Sequence, residues 1–225
     1  MTYREAVDNI REHIRELSGD NWISDRAILS DIRSVTNTFV KREMDRRKLL
    51  SSNSLFTTLP CLEMIDVPLS ECCFFTSECT IKRSKYKLPK IGEGIFGFIM
   101  DGVYSINGIK GATKLIAGDP NRYANLMNLN QKTSVNMFWL QNDYLYITVD
   151  WEAVRLVAYF EEDVPSYLLS CDEKDISPCR NPLDDDFKCP GYLISGVLST
   201  VKTDYMSNFK RLKEDGTDND TEILD

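Results

Sequence analysis

KIGEGIFGFIMDG, residues 90–102, sets Gly92, Gly94 and Gly97 in the spacing G-x-G-x-x-G, and the way it is read decides the fold. In a dinucleotide-binding unit this spacing joins a buried strand to a helix whose N-terminus faces the pyrophosphate. Here Gly97 is followed by Phe98-Ile99-Met100-Asp101-Gly102-Val103-Tyr104, a strand running into a tight turn. A protein-kinase phosphate loop does sit in a hairpin, but it works with a catalytic H-R-D and a metal-binding D-F-G. The sole histidine is His13, upstream of the loop, and the string nearest to D-F-G is Asp186-Phe187-Lys188. The glycines therefore read as bulge or close-approach positions within strands.

The sequence on either side agrees. CLEMIDVPL (61–69) alternates apolar and polar residues and ends at Pro68. CTIKRSKYKLP (79–89) reads as a solvent-facing edge strand, with lysines that discourage stray pairing. Asp101-Gly102 and Asn107-Gly108 are hairpin-turn signals. DPNRYANLMNLN (119–130) is a short helical or irregular segment, with Pro120 suited to a first turn. MFWLQNDYLYITV (137–149) is an aromatic hairpin about Asn142-Asp143, and EAVRLVAYFE (152–161) completes the run. Short strands separated by turns predict an antiparallel β-sandwich or barrel over residues 55–168.

Both ends of the chain carry a helical period instead. Thr2-x-x-Glu5 is a capping box, and Tyr3, Val7, Ile10, Ile14 and Leu17 follow as one apolar stripe. Ser24 caps a second helix with Ile28, Ile32, Val35 and Phe39 on its stripe. A short loop and matched stripes predict an antiparallel helical hairpin over residues 1–50, which needs a third helix or a sheet to cover it. Pro190 opens a last helix with Leu193, Val197, Leu198, Val201 and Tyr205 on its apolar side, within a segment 185–212. Residues 213–225 are polar and acidic and read as a disordered tail. The class is α+β.

Net charge is −8, which argues against a dedicated nucleic-acid coat. The signs are segregated. Lys41, Arg42, Arg46, Arg47 and Lys48 form one basic knot, and Lys82, Arg83, Lys85, Lys87 and Lys90 a second. Acids gather at Glu161-Glu162-Asp163, at Asp184-Asp185-Asp186 and after Glu214. No apolar run approaches the roughly 18 residues of a membrane span, and the first residues are polar, so a cytosol-like compartment and no membrane partner are expected. The seven cysteines are odd in number and irregularly spaced, which predicts reduced, packed thiols and neither a disulfide framework nor zinc. His13 lies off its helical stripe, with nothing to orient it for a Ser/His or Cys/His dyad. Asp184 to Asp186 lie in a loop before a helix, where such runs cap and solubilise. No enzyme activity, cofactor or metal is expected.

The order of segments resembles a known family. TYREAVDNIREHI opens a helical hairpin, followed by LPCLEMIDVPLSEC and by RSKYKLPKIGEGIFGFI. Then come the aromatic hairpin, VRLVAYFEEDVPSYLLSCD, and CRNPLDDDFKCPGYLISGVLSTVKTDY leading into the final helix. Over about residues 2–212 this layout is similar to that of the head-to-tail connector, or ring, proteins beneath the portal of crAss-like short-tailed bacteriophages. The resemblance implies a virion structural protein of the neck and tail, assembled in the host bacterial cytoplasm. It implies a ring of copies, twelvefold to match the portal, touching the portal on one side and the next tail ring on the other. Genomic DNA would pass through the ring without sequence-specific binding. Helices would lie at the portal side and the β-domain outward.

A heterologous ring needs two different complementary patches on one subunit. Arg42, Arg46 and Arg47 on the second helix, and Asp184, Asp185 and Asp186 before the last, are the expected interface residues. The rival reading is a module that binds peptide or carbohydrate through Trp139, Tyr144 and Tyr146 of the β-domain.

Overall fold

The computed structural model describes residues 1–18, 23–46, 55–71, 80–95, 97–106, 113–123, 136–169, 171 and 181–218, with backbone alone for 16–18 and 209–218. The chain divides into two units, residues 1–55 with 178–225, and residues 56–177. The architecture is α+β, with the long helices in the first unit and the strands in the second.

In the helical unit the capping box forms as the sequence predicts. The Thr2 N–H donates to Glu5 Oε2 at 2.9 Å, and the Glu5 N–H to Thr2 Oγ1 at 3.3 Å. Helix α1 spans Tyr3–Ser18. Ser24 Oγ accepts from the Ala27 N–H at 3.3 Å and starts α2, Asp25–Asp45. The stripe of α1 (Tyr3, Ala6, Val7, Ile10, Ile14) meets Ile28, Leu29 and Ile32 of α2. The third cover is α3, Gly191–Asp218, which adds Leu193, Val197 and Val201 to the same core. A Cβ at Gly196 of α3 would lie 3.1 Å from the Phe39 ring, so the small residue lets these helices approach closely. The α3 backbone continues to Asp218, into the segment read as tail, while residues 219–225 lie outside the described residues.

The β unit is organised by β1, Thr57–Pro68. Its first half pairs with β9 (Ala153–Ala158) and its second half with β2 (Thr80–Ser84), both antiparallel. Between Leu59 and Leu62 the register against β9 slips, so Pro60 and Cys61 form a bulge. Proline, which cannot donate to a ladder, fits such a bulge. Cys61 is joined there to Cys171 in a disulfide with a Cα–Cα distance of 5.2 Å. The expectation of reduced thiols is corrected at this pair: an odd count leaves room for one bridge, and only the fold reveals that residues 110 apart in sequence meet. Cys189 is a buried free thiol, while Cys72, Cys73, Cys79 and Cys179 lie outside the described residues.

Two further readings are overturned. The lysine-rich strand is not an edge: β2 lies between β1 and β8 (Tyr144–Ile147). Its charges are tolerated because acids stand across the ladder, as Asp66 does opposite Lys82. Asp101-Gly102 is not a hairpin turn either. It lies inside β5 (Met100–Ser105), where the register against β9 shifts between Met100 and Gly102 and Gly102 adopts φ +154°. The Asp-Gly signal marks a backbone that needs positive φ, and a glycine bulge meets that need as well as a turn does. Asn142 and Asp143, at φ 53° and 66°, do make the expected tight turn, between β7 (Met137–Gln141) and β8.

Seven of the described strands form one sheet in the order β5-β9-β1-β2-β8-β7-β6, with β6 being Ile116–Ala117, and two more pair separately. A single segment bridges the two edges of the sheet. Leu115 donates to the Val103 carbonyl at 2.9 Å and Ser105 to the Thr113 carbonyl at 3.0 Å, on the β5 side. One residue on, Ile116 donates to Asn136 at 2.9 Å and Gly118 to Phe138 at 2.8 Å, on the β7 side. The β-domain is thus a part-closed barrel, not a two-sheet sandwich. Leu59, Leu62, Val103, Leu145, Ile147 and Leu156 fill its interior. Val67, Leu69, Ile81, Trp139 and Tyr146 make a smaller cluster. Ser84, with no exposed surface, spans the barrel wall: its hydroxyl donates to the Tyr86 carbonyl at 2.9 Å and accepts from the Leu145 N–H at 3.1 Å.

Two outcomes follow in urea titrations of the purified chain. Ser84→Ala strands a buried amide and carbonyl and lowers stability by about 1–3 kcal/mol. Cys61→Ser removes the bridge and lowers it by about 2–4 kcal/mol, an effect that reductant reproduces in the parent chain but not in the variant.

Candidate functional site

The second basic knot is neutralised within the chain. Lys82 Nζ lies 2.9 Å from Asp66 Oδ2 and 3.2 Å from Asp150 Oδ1, Lys85 Nζ 2.6 Å from Glu63, and Lys90 Nζ 3.0 Å from Glu161. Arg83 pairs with Glu71 and spreads over the Tyr144 ring at 4.2 Å. The lysine pKa values rise above their ordinary range, chiefly through hydrogen bonds from Lys82 to Asp66, Lys85 to Glu63 and Lys90 to Glu161. These cations hold strands together and do not form a bare basic surface.

The first knot differs. Arg42 and Arg46 are exposed at the last turn of α2, with Arg46 Nη1 3.6 Å from the buried Glu43 carboxylate. Arg47 lies outside the described residues. The expected acidic partners sit in the same unit. Asp184, in a 3-10 turn Pro182–Asp184, accepts two hydrogen bonds from Arg4 at 2.7 and 2.9 Å. Asp185 accepts from the Tyr3 N–H at 3.0 Å through its carbonyl, and Asp186 forms an antiparallel bridge with Thr2. The acidic run is therefore also a strap that holds the N-terminus. Asp186 is exposed and Asp185 half-buried. The sequence signals charge here but not this backbone role, since residues 2 and 186 come together only in the fold.

The rival aromatic site loses two of its three residues to the interior. Trp139 is 4% exposed and Tyr146 1%, stacked at 5.9 Å with nearly parallel rings. The glycine motif is a small hairpin: β3 (Glu93–Gly94) pairs with β4 (Gly97–Phe98), and a Cβ at Gly92 would strike the Tyr159 ring at 2.6 Å. Gly92 thus serves close packing, as the sequence reading expects. Its N–H donates to the Tyr159 carbonyl at 2.8 Å and no helix follows.

Sequence reasoning missed a groove beside this hairpin. Below Val103 the bridging segment and β5 part, and an opening of about 470 Å³ reaches the barrel interior. Phe98, Met100, Leu115, Phe138 and Leu140 line it, with Ala117 at its edge. Residues 116 and 118 bond to β7, so by strand alternation Ala117 turns its amide and carbonyl toward the groove. The local signal nearest to it is Asp101-Gly102, where the register of β5 against β9 shifts and which itself lines the groove.

A smaller cavity of about 220 Å³ between α2 and α3 holds Asp31, Asp204 and Tyr205. The Tyr205 hydroxyl donates to Asp31 Oδ2 at 2.5 Å, and burial, then this bond, push its pKa up. His13 is half-buried on α1. Among the described residues no group of three or more His, Cys, Asp or Glu is placed to hold a metal, and no helix is long and apolar enough to cross a membrane. The Cys189 thiol lies 3.6 Å from the Pro190 carbonyl, and burial raises its pKa to about 11. Below about pH 9 the thiol is protonated in folded and unfolded chains alike. Between pH 9 and 11 the unfolded chain binds fewer protons, so folding stability falls as pH rises. Chemical denaturation across this range shows the fall in the parent chain and a shallower one in Cys189→Ala.

The sequence model of one protein family, described as phage tail ring protein 2, matches residues 5–225. No curated protein matches the chain.

Proposed function

Because the chain belongs to the phage tail ring protein 2 family, whose members are structural parts of the virion tail, we propose that its copies close into a twelvefold ring that joins portal to tail. The match over residues 5–225 carries this reading, since it spans both units of the fold. One face of the ring contacts the portal, the other the next tail ring, and genomic DNA passes through the centre. The subunit acts by fit and carries no reaction centre or cofactor. Assembly takes place in the host bacterial cytoplasm. A channel wall of negative charge, in keeping with the net charge of −8, lets the genome slide where attraction would retain it.

Neighbouring copies meet where Arg42, Arg46 and Arg47 of one face Asp184, Asp185 and Asp186 of the next. Exposure of Arg42, Arg46 and Asp186 supports this pairing. Asp184 shares its charge with Arg4, so Asp186 is the better partner for test. Exposed ion pairs contribute only about 0–1 kcal/mol each, so reversal, which adds repulsion at every junction of a ring, is the stronger probe.

The assembled parent chain should have a mass near twelve times 25.8 kDa by light scattering, alone or with portal protein. Arg42→Glu with Arg46→Glu should reduce the particle to small species, and adding Asp186→Lys should restore it. Rings unaffected by the double reversal would remove this interface.

A further inference from the structure

The Cys61–Cys171 bridge stands outside the bonding that makes the barrel. Thr57, Thr58, Leu59, Leu62 and Glu63 of β1 pair in register with β9, and Cys61 is passed over in the bulge between them. Cys171 lies beyond β9 and beyond the 3-10 turn Ser166–Leu168, in no strand. Making or breaking the bond therefore leaves the described strand pairings intact. Apolar packing already brings the two residues together. Leu168 is buried, Leu169 packs beside it on the barrel core, and the turn that carries them lies against β1. Strands β2 to β9 all run between the two cysteines, so the closed bond encloses nearly the whole β unit.

The bond is also within reach of solvent. Cys171 is exposed and Cys61 half-buried, whereas the Cys189 thiol is buried. Exposed disulfides exchange with small thiols and disulfides, while buried thiols are inert. A cytosol keeps accessible cysteines reduced, and the medium outside a cell does not. A virion part made in the first and released into the second meets both conditions in turn.

We propose that Cys61 and Cys171 form a redox latch: the subunit folds and assembles with both thiols reduced, and the bond closes when the particle meets low-molecular-weight disulfides outside the cell. This rests on the reading of the chain as a virion part assembled in the host cytoplasm. The chemistry is two exchanges. The Cys171 thiolate, the exposed one, attacks a sulfur of oxidised glutathione. That S–S bond breaks, a mixed disulfide forms and one glutathione thiolate leaves. The Cys61 thiolate then attacks the Cys171 sulfur and expels the second glutathione. Two protein thiols are oxidised, one small disulfide is reduced to two thiols, and the protons lost by the cysteines end on glutathione. Closure ties the chain that follows Leu169 to the bulge of β1, so that Leu168 and Leu169 can no longer peel from the core.

The test traps thiols in the full chain made in a reducing bacterial cytoplasm. Cells are quenched in acid and alkylated with N-ethylmaleimide, and peptide mass spectrometry should find Cys61 and Cys171 both modified. The same chain, purified under reductant and then given oxidised glutathione, should gain the Cys61–Cys171 bond and a thermal midpoint about 5–15 °C higher. Light scattering should give one particle mass in both states. Cys61→Ser should stop at a glutathione adduct on Cys171, and Cys171→Ser should react at Cys61 more slowly. A bond already present in the quenched cells, a reduced chain that is unfolded at room temperature, or a folded dithiol that oxidised glutathione does not close overturns the latch and leaves the ring reading standing. A chain that behaves as a latch but never assembles overturns the ring reading alone.

Discussion

The two-part pairing of β1 is the constraint on which the β-domain depends. A twelve-residue strand cannot stay flat between two different partners, so it bends where the partners change. Pro60 and Cys61 supply the bulge near that bend, and the Cys61–Cys171 bridge ties the returning chain to it. Leu168 and Leu169, just before Cys171, then pack on the barrel core. Once β1 is bent, β9 and β5 lie on one side and β2, β8 and β7 on the other, and a single segment, 113–118, reaches across both edges. The groove is where that reach falls short.

Charge is used in two ways. On β2 every cation meets an acid on a neighbouring strand or turn, so a lysine-rich strand is tolerated in the middle of a sheet. On the helical unit some charge is spent on the fold, as in the Arg4–Asp184 pair. At the end of α2 Arg42 is exposed, while Arg46, also exposed, lies 3.6 Å from Glu43. A subunit whose role is assembly needs this division, because charges matched internally cannot select a neighbour.

The helices were legible because their signals are local. The Thr2/Glu5 box, the Ser24 cap and the stripes of α1, α2 and α3 each lie within a few turns of chain. The aromatic hairpin was legible for the same reason: Asn142 and Asp143 carry their own turn chemistry. Strand neighbours were not. Lysines give β2 the appearance of an edge, since Asp66 and Asp150 come opposite only after long-range pairing. Asp101-Gly102 states a positive φ without saying whether a turn or a bulge will use it. The disulfide, the acidic strap and the groove all join residues far apart in sequence, where spacing holds no information.

The fold and the family together describe a component that works by fitting against copies of itself. Electron-microscope image averages of the purified chain, viewed down the particle axis, test this most directly. The account predicts a closed annulus with one rotational order and a central opening. Isolated subunits or open filaments in every condition, with portal protein present, would contradict it.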